Sequence, residues 1–311
     1  MSRPLAVVAV LVAALCFATT GTARALAGVD ADAVSVGAAR VLIGGGALGL
    51  LALAARRRRP APAAVHRAGV SRVPNAIIVL VGAVGVLAYQ PTFFTGTSLN
   101  GVAVGTVVAL GSAPIVTGIL DSVLRRRRPG IRWAIATAVA IVGVVLVSGM
   151  VGGDGRDAAI SAGGIAASLG AGASYALYAI ASKLLLDRGW STSSAMGGVF
   201  GTAAVLSIPV MLITSMAWLV TPAGLVLALW LGLVTVTVAY LLFGAGLRQL
   251  SPATVSTLTL AEPLGATVLG LLVLHEQLSA VSIAGLAIIA VGVALIAIPV
   301  RSRSARVAAS A

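Results

Sequence analysis

Residues 254–296 read TVSTLTLAEPLGATVLGLLVLHEQLSAVSIAGLAIIAVGVALI, and residues 105–147 read GTVVALGSAPIVTGILDSVLRRRRPGIRWAIATAVAIVGVVLV. At an offset of 149 residues Pro114 falls on Pro263, Leu120 on Leu269, Ala138 on Ala287 and Gly143 on Gly292. Each stretch is two long apolar segments joined by a short polar connector. In one the connector is Arg125–Arg128; in the other it is His275-Glu276-Gln277. Arginine clusters stay on the cytoplasmic side of a membrane, so the two copies are expected to lie in opposite orientations. Inverted repeats of this kind are an architecture of membrane carriers.

Composition agrees with a bilayer setting. Hydrophobic residues make up 59% of the 311-residue chain and charged residues 9%, against about 25% charged in ordinary soluble domains. The mean hydropathy is +1.09. The formal net charge of +13 could suggest a nucleic-acid binder, but the basic residues sit in short loops between apolar runs. They are read as topology signals, and no nucleic-acid partner is expected. Cys16, the single cysteine, excludes an intrachain disulfide and a cysteine zinc site. Arg3 followed by an apolar stretch resembles a leader peptide, but residues 5–27 are long enough to span and have a counterpart at 163–185.

Ten spans are predicted: 5–27, 33–55, 75–97, 101–123, 131–150, 160–186, 192–218, 222–246, 252–274 and 278–299. With the N-terminus inside, 18 of the 21 basic residues become cytoplasmic, Arg24 and Arg156 lie outside, and Arg40 lies within a span. Nine or eleven spans would scatter these charges. Trp133, Trp190 and Trp218 fall near span ends, where interfacial tryptophans belong. The fold expected is therefore all-α: a polytopic membrane protein of ten transmembrane helices built from two inverted five-helix repeats, 1–150 and 151–311. Phe17 corresponds to Tyr175 and Phe94 to Phe243 in the two halves. Gly101/Gly105 and Gly197/Gly201 are small-residue pairs that allow close helix approach. The arginine bias over lysine, with abundant Ala, Val and Gly, points to a GC-rich bacterial genome; the location expected is a bacterial cytoplasmic (inner) membrane, with both termini cytoplasmic by the charge count.

Glu262, beside Pro263, is the first functional candidate. It is near the middle of its span, where an ionised carboxylate costs about 2.5–3.5 kcal/mol on insertion scales. It is expected to carry protons, to hold a substrate ammonium, or to lock structurally onto Arg40. Arg40 in turn is expected to snorkel, to pair with Glu262, or to bind a substrate carboxylate. Tyr89 and Gln90 supply hydrogen-bonding groups in an apolar span, as does Ser112. Tyr175 and Tyr178 share a helix face, and Tyr240 is a further aromatic position; together they suit an amphipathic solute. Pro91, Pro114 and Pro263 are candidate kinks, since proline lacks an amide donor.

These stretches resemble the EamA-type members of the drug/metabolite transporter superfamily. The likeness is strongest over Leu258–Ile296, with Pro263 after Glu262, a connector glutamate at Glu276 and a glycine-bearing last helix; Arg40 matches the arginine of the family's second helix. The first repeat departs from it, with Arg125–Arg128 in place of the connector glutamate. The resemblance implies a ten-helix secondary transporter with a central cavity, and a capping or gating role for Glu276. No Walker loop, HExxH, Gly-x-Ser-x-Gly or CxxC occurs, so no enzyme activity, cofactor or metal is expected. The expected partners are the lipid bilayer, a small-molecule metabolite and protons, in a monomer or homodimer. The leading reading is an exporter of small amphipathic metabolites such as amino acids; the alternative is a carrier or flippase for lipid-linked or sugar-conjugated metabolites.

Overall fold

The computed structural model describes residues 1–58, 73–126, 128–148, 161–275 and 279–298. Among these the chain is helical and contains no strand. Among the described residues nine helices are long and apolar enough to cross a membrane: α1 (Arg3–Ala27), α2 (Ala33–Ala55), α3 (Asn75–Gly101), α4 (Val104–Arg125), α6 (Ala162–Asp187), α7 (Thr192–Ile213), α8 (Pro222–Gln249), α9 (Pro252–Val273) and α10 (Ala280–Ala297). A tenth apolar helix, α5 (Ile131–Val147), has 17 residues. At 1.5 Å per residue it covers about 25 Å, slightly less than the hydrocarbon core. The protein is a multi-pass membrane protein.

The helix starts follow from local chemistry. In hydrocarbon every orphan amide must find a partner inside the protein. Ser161, Ser191, Thr221, Ser251 and Ser279 each accept an amide hydrogen bond at the start of α6, α7, α8, α9 and α10. Asp32 Oδ2 does the same for α2, accepting from Val34 N at 2.9 Å and Ser35 N at 3.0 Å. Pro222 and Pro252 follow their caps, where a missing amide costs nothing.

α3 and α4 meet at a corner made by Gly101, whose φ of 77° is open to glycine and strained for other residues. The expected pair Gly101/Gly105 serves this corner rather than a helix face. Gly105 lies against the Thr97 backbone, where a Cβ would come within 2.7 Å. Gly197/Gly201 does form a helix crossing, against Leu48 and Gly49 of α2. α7 ends at Ile213, short of the predicted 218. Thr214 turns extended, and Trp218 lies in a separate short turn, Ala217–Val220. Trp218 is buried and donates to Ser35 Oγ at 3.0 Å, so it anchors protein to protein instead of facing the interface. Trp133 likewise donates inward, to Ala253 O at 2.9 Å.

The helix pairing has a regular form. α6 packs on α3 and α4, as α1 packs on α8 and α9. α7 touches α3 as α2 touches α8, while α2 pairs with α7 and α5 with α10. Glycines set the tightest crossings. A Cβ on Gly143 of α5 would lie 2.6 Å from Ile289 N, and one on Gly292 of α10 would lie 2.7 Å from Ala140 N.

Two helices are irregular. α8 is wound wide, as a π-helix, over Trp230–Val238. There Thr237 Oγ1 donates to Gly44 O of α2 at 3.0 Å. α9 is interrupted at Thr259–Leu260. Pro263 has no amide hydrogen, so the Thr259 carbonyl loses its usual partner four residues on. It accepts instead from Glu262 N at 2.9 Å, a tighter turn that ends one helical segment and begins the next.

Candidate functional site

A cavity of about 430 Å³ lies at the centre of the bundle. Helices from both halves of the chain wall it. α1 contributes Phe17 and Arg24, α2 Arg40, α3 Tyr89 and Gln90, α6 Tyr175 and Tyr178, α7 Phe200, α8 Tyr240 and α9 Thr259 and Glu262. All four tyrosines of the chain and four of its five phenylalanines line it. The fifth, Phe243, is fully buried behind Tyr240, with ring centroids 5.6 Å apart. The tyrosine and phenylalanine side chains are thus gathered at one place.

The wall is held by its own contacts. Tyr240 Oη donates to Tyr178 Oη at 3.2 Å, and Tyr175 Oη meets Thr259 Oγ1 at 3.0 Å. Phe200 and Tyr240 lie with centroids 4.0 Å apart, and Phe17 approaches Tyr240 at 5.1 Å. Tyr89 stacks on Phe93 at 5.8 Å and 9°. Such pairs add roughly 0.5–1.5 kcal/mol each beyond their buried area. Gln90 packs over Gly37, whose missing side chain leaves room for it.

Seven of the predicted site residues therefore meet at one cavity: Arg40, Tyr89, Gln90, Tyr175, Tyr178, Tyr240 and Glu262. Arg40 and Glu262 face the same space without an ion pair; the three ion pairs among the described residues lie elsewhere. Arg40 Nε is buried with no hydrogen-bond partner among the described residues. Ser112 is placed differently. It is buried at the crossing of α4 and α6, donating to Ala109 O at 3.1 Å and sitting over Gly172. Pro91 is exposed on α3, Pro114 is buried within an uninterrupted α4, and Pro263 marks the break in α9. Glu276 lies outside the described residues.

Sequence reasoning missed Arg24, Phe93, Phe200 and Thr259 as lining residues. Thr259 had a signal, being four residues before Pro263. Phe200 and Phe93 had a weaker one: aromatic residues are only 4% of this chain. Arg24 was read as an outer-loop charge.

At one end of the bundle, the end that carries Arg125 and Arg248, a second polar group joins three helices. Arg125 of α4 reaches Asp121 at 2.6 Å and Asp187 of α6 at 2.6 Å. Lys183 of α6 lies 3.3 Å from Asp187 and donates to Leu247 O of α8 at 2.6 Å. No group of three or more His, Cys, Asp or Glu able to hold a metal occurs among the described residues.

An apolar helical bundle enclosing a central polar-aromatic cavity, walled by both halves of the chain, has the form of a membrane carrier. The chain matches the EamA-like transporter family over residues 4–149 and 162–298 and belongs to it. It is 37% identical over 302 residues, 96% of each chain, to a Bacillus subtilis (strain 168) protein named "Uncharacterized transporter YwfM". It is 29% identical over 205 residues to "Protein PecM" of Dickeya dadantii (strain 3937), covering 63% of this chain and 65% of that protein. A solved crystal structure superposes with a TM-score of 0.75 at 21% identity, over 95% of this chain and 99% of that chain, which shows the shared fold.

Proposed function

We propose that this EamA-family transporter exports small amphipathic metabolites, amino acids or their relatives, across the bacterial cytoplasmic membrane. Transport proceeds by alternating access around the central cavity, with proton coupling through Glu262. One observation carries this reading: seven polar or aromatic side chains, picked from the sequence for unrelated reasons, converge on one cavity of small-molecule size.

The helix pairing supports the alternating-access part. Adding five to each helix number maps α1 on α8 and α9 onto α6 on α3 and α4, and maps α2 on α7 and α5 on α10 onto themselves. Two repeats related by an in-plane two-fold axis would pair in this way. We take residues 1–150 and 151–311 as those repeats. The Arg125–Asp187–Lys183 group then lies on the cytoplasmic side and holds that side shut. The cavity opens the opposite way, past exposed Gly21 and half-buried Arg24 towards the end of α1.

A lipid-linked substrate would need a lateral path. An apolar groove of about 680 Å³ does run between α2 and α7, from Leu42 to Ile208. It has no charged residue and shares no lining residue with the central cavity, which favours the small-solute reading. Counterflow of radiolabelled solutes in proteoliposomes, over a panel of amino acids, amphipathic drugs and lipid-linked sugars, tests this reading. Exchange confined to lipid-linked sugars would contradict it.

A further inference from the structure

Three charged side chains line the cavity: Arg24, Arg40 and Glu262. Two cations face one anion, so the ionised cavity has a surplus of one positive charge. In a largely apolar wall such a surplus is poorly screened and selects the charge of whatever enters. An amine would raise the surplus, a zwitterion would leave it unchanged, and a monoanion would cancel it.

The charges are also ordered in depth. Arg24 is three residues from the end of α1, Arg40 seven from the start of α2, and Glu262 eleven from the end of α9. At 1.5 Å per residue these lie about 5, 10 and 16 Å from the same end of the bundle. The cations come first and the carboxylate is deepest. Among the described residues neither arginine is committed elsewhere. Arg24 makes one long hydrogen bond, to Ala31 O at 3.4 Å. It makes no ion pair with Asp30 or Asp32, and the Asp32 carboxylate is taken up in capping α2. Arg40 Nε is buried without a partner. A buried donor left unmade is costly, and a guanidinium presents donors in a planar fork that matches a carboxylate.

We infer that the cavity takes a monoanionic solute, a carboxylate on a flat apolar body, with Arg40 as the carboxylate subsite and Arg24 as the charge that draws the solute in. The inference rests on the cavity being the transport site, and within the proposed amphipathic class it places carboxylates without an ammonium group ahead of zwitterionic amino acids. The eight aromatic side chains supply faces for the apolar body, and the carboxylate points to Arg40, away from Glu262.

Three probes of one shape test it: 3-phenylpropionate, L-phenylalanine and 2-phenylethylamine, each radiolabelled, bound to the purified full-length protein in nanodiscs. The acid is expected to bind at least about tenfold tighter than the amine, the scale of one charge-assisted hydrogen bond. Arg40→Gln removes that preference. Arg24→Gln slows acid association and flattens its salt dependence, and Glu262→Gln, which removes the cavity carboxylate and raises the positive surplus, tightens acid binding. Amine binding equal to or tighter than acid binding, acid binding indifferent to Arg40→Gln, or no binding of any of the three overturns the inference. Counterflow over the wider solute panel is scored separately. Exchange of amines or neutral solutes alone would sink the anionic class while leaving the transporter reading standing.

Discussion

The amide of Glu262 donates to the carbonyl of Thr259 at 2.9 Å, across the break in α9. Pro263 is the cause, because it withholds the donor that Thr259 O would otherwise use. The break does two things at once. It directs the Glu262 carboxyl into the cavity, and it turns Thr259 so that its hydroxyl meets Tyr175 Oη at 3.0 Å.

Pro263→Ala restores the missing donor and lets α9 run straight. The protein is expected to stay folded, with a thermal midpoint equal to or above wild type. Flux driven by a pH gradient is expected to fall about tenfold, the equivalent of about 1.4 kcal/mol. Unchanged gradient-driven flux would mean that the break does not position Glu262.

Tyr178→Phe removes one hydroxyl of the Tyr240–Tyr178 pair and leaves the ring. The cost expected is about 0.5–1.5 kcal/mol, one neutral hydrogen bond. Tyr240→Ala also removes a ring packed on Phe200, Phe17 and Phe243. That change is expected to cost about 3 kcal/mol or more. Denaturant unfolding in detergent, followed by tryptophan fluorescence, orders the two.

Gly143→Ala places a Cβ 2.6 Å from Ile289 N, against backbone that cannot step aside without separating α5 from α10. A loss of about 1–3 kcal/mol is expected from this overpacking. Gly46→Ala has nothing within 4 Å of its new Cβ and is the control, with a midpoint at wild type or above. Equal effects of the two would refute the close crossing.

The fold was largely legible in the sequence, and for physical reasons. Span length, the arginine loops and the matched prolines are each imposed locally by the bilayer or by backbone chemistry, so α1–α10 could be read one segment at a time. The end of α7 was misplaced because Trp218 looked interfacial by position. Its partner, Ser35, is 183 residues away, beyond the reach of any local pattern. The cavity lining was legible where a polar group stood out in an apolar span, as with Glu262, Arg40 and Gln90. Ser112 lies off that lining, because a serine hydroxyl can satisfy itself on its own helix, as this one does on Ala109 O. Arg24 was missed because only tertiary packing tells a cavity mouth from a loop.

Asp187→Asn weakens the group that ties α4, α6 and α8 at the cytoplasmic side in the proposed topology. Partly exposed ion pairs are worth about 0–1 kcal/mol, so the closed state is expected to lose no more than about fivefold in population. Ser256, buried on the cavity wall, reports it. In a Cys16→Ser background, Ser256→Cys is expected to react faster with an impermeant maleimide from the cytoplasmic face when Asp187→Asn is present. Equal labelling rates would show that these pairs do not hold that side closed.

The central claim, proton-coupled transport through the cavity carboxyl, is tested most directly by solute flux into proteoliposomes with and without a pH gradient. Wild type and Glu262→Gln are compared in the same assay. The expected result is that wild-type flux rises with the gradient, while Glu262→Gln still exchanges solute at equal pH and ignores the gradient. Identical responses of the two proteins to the gradient would contradict coupling through Glu262.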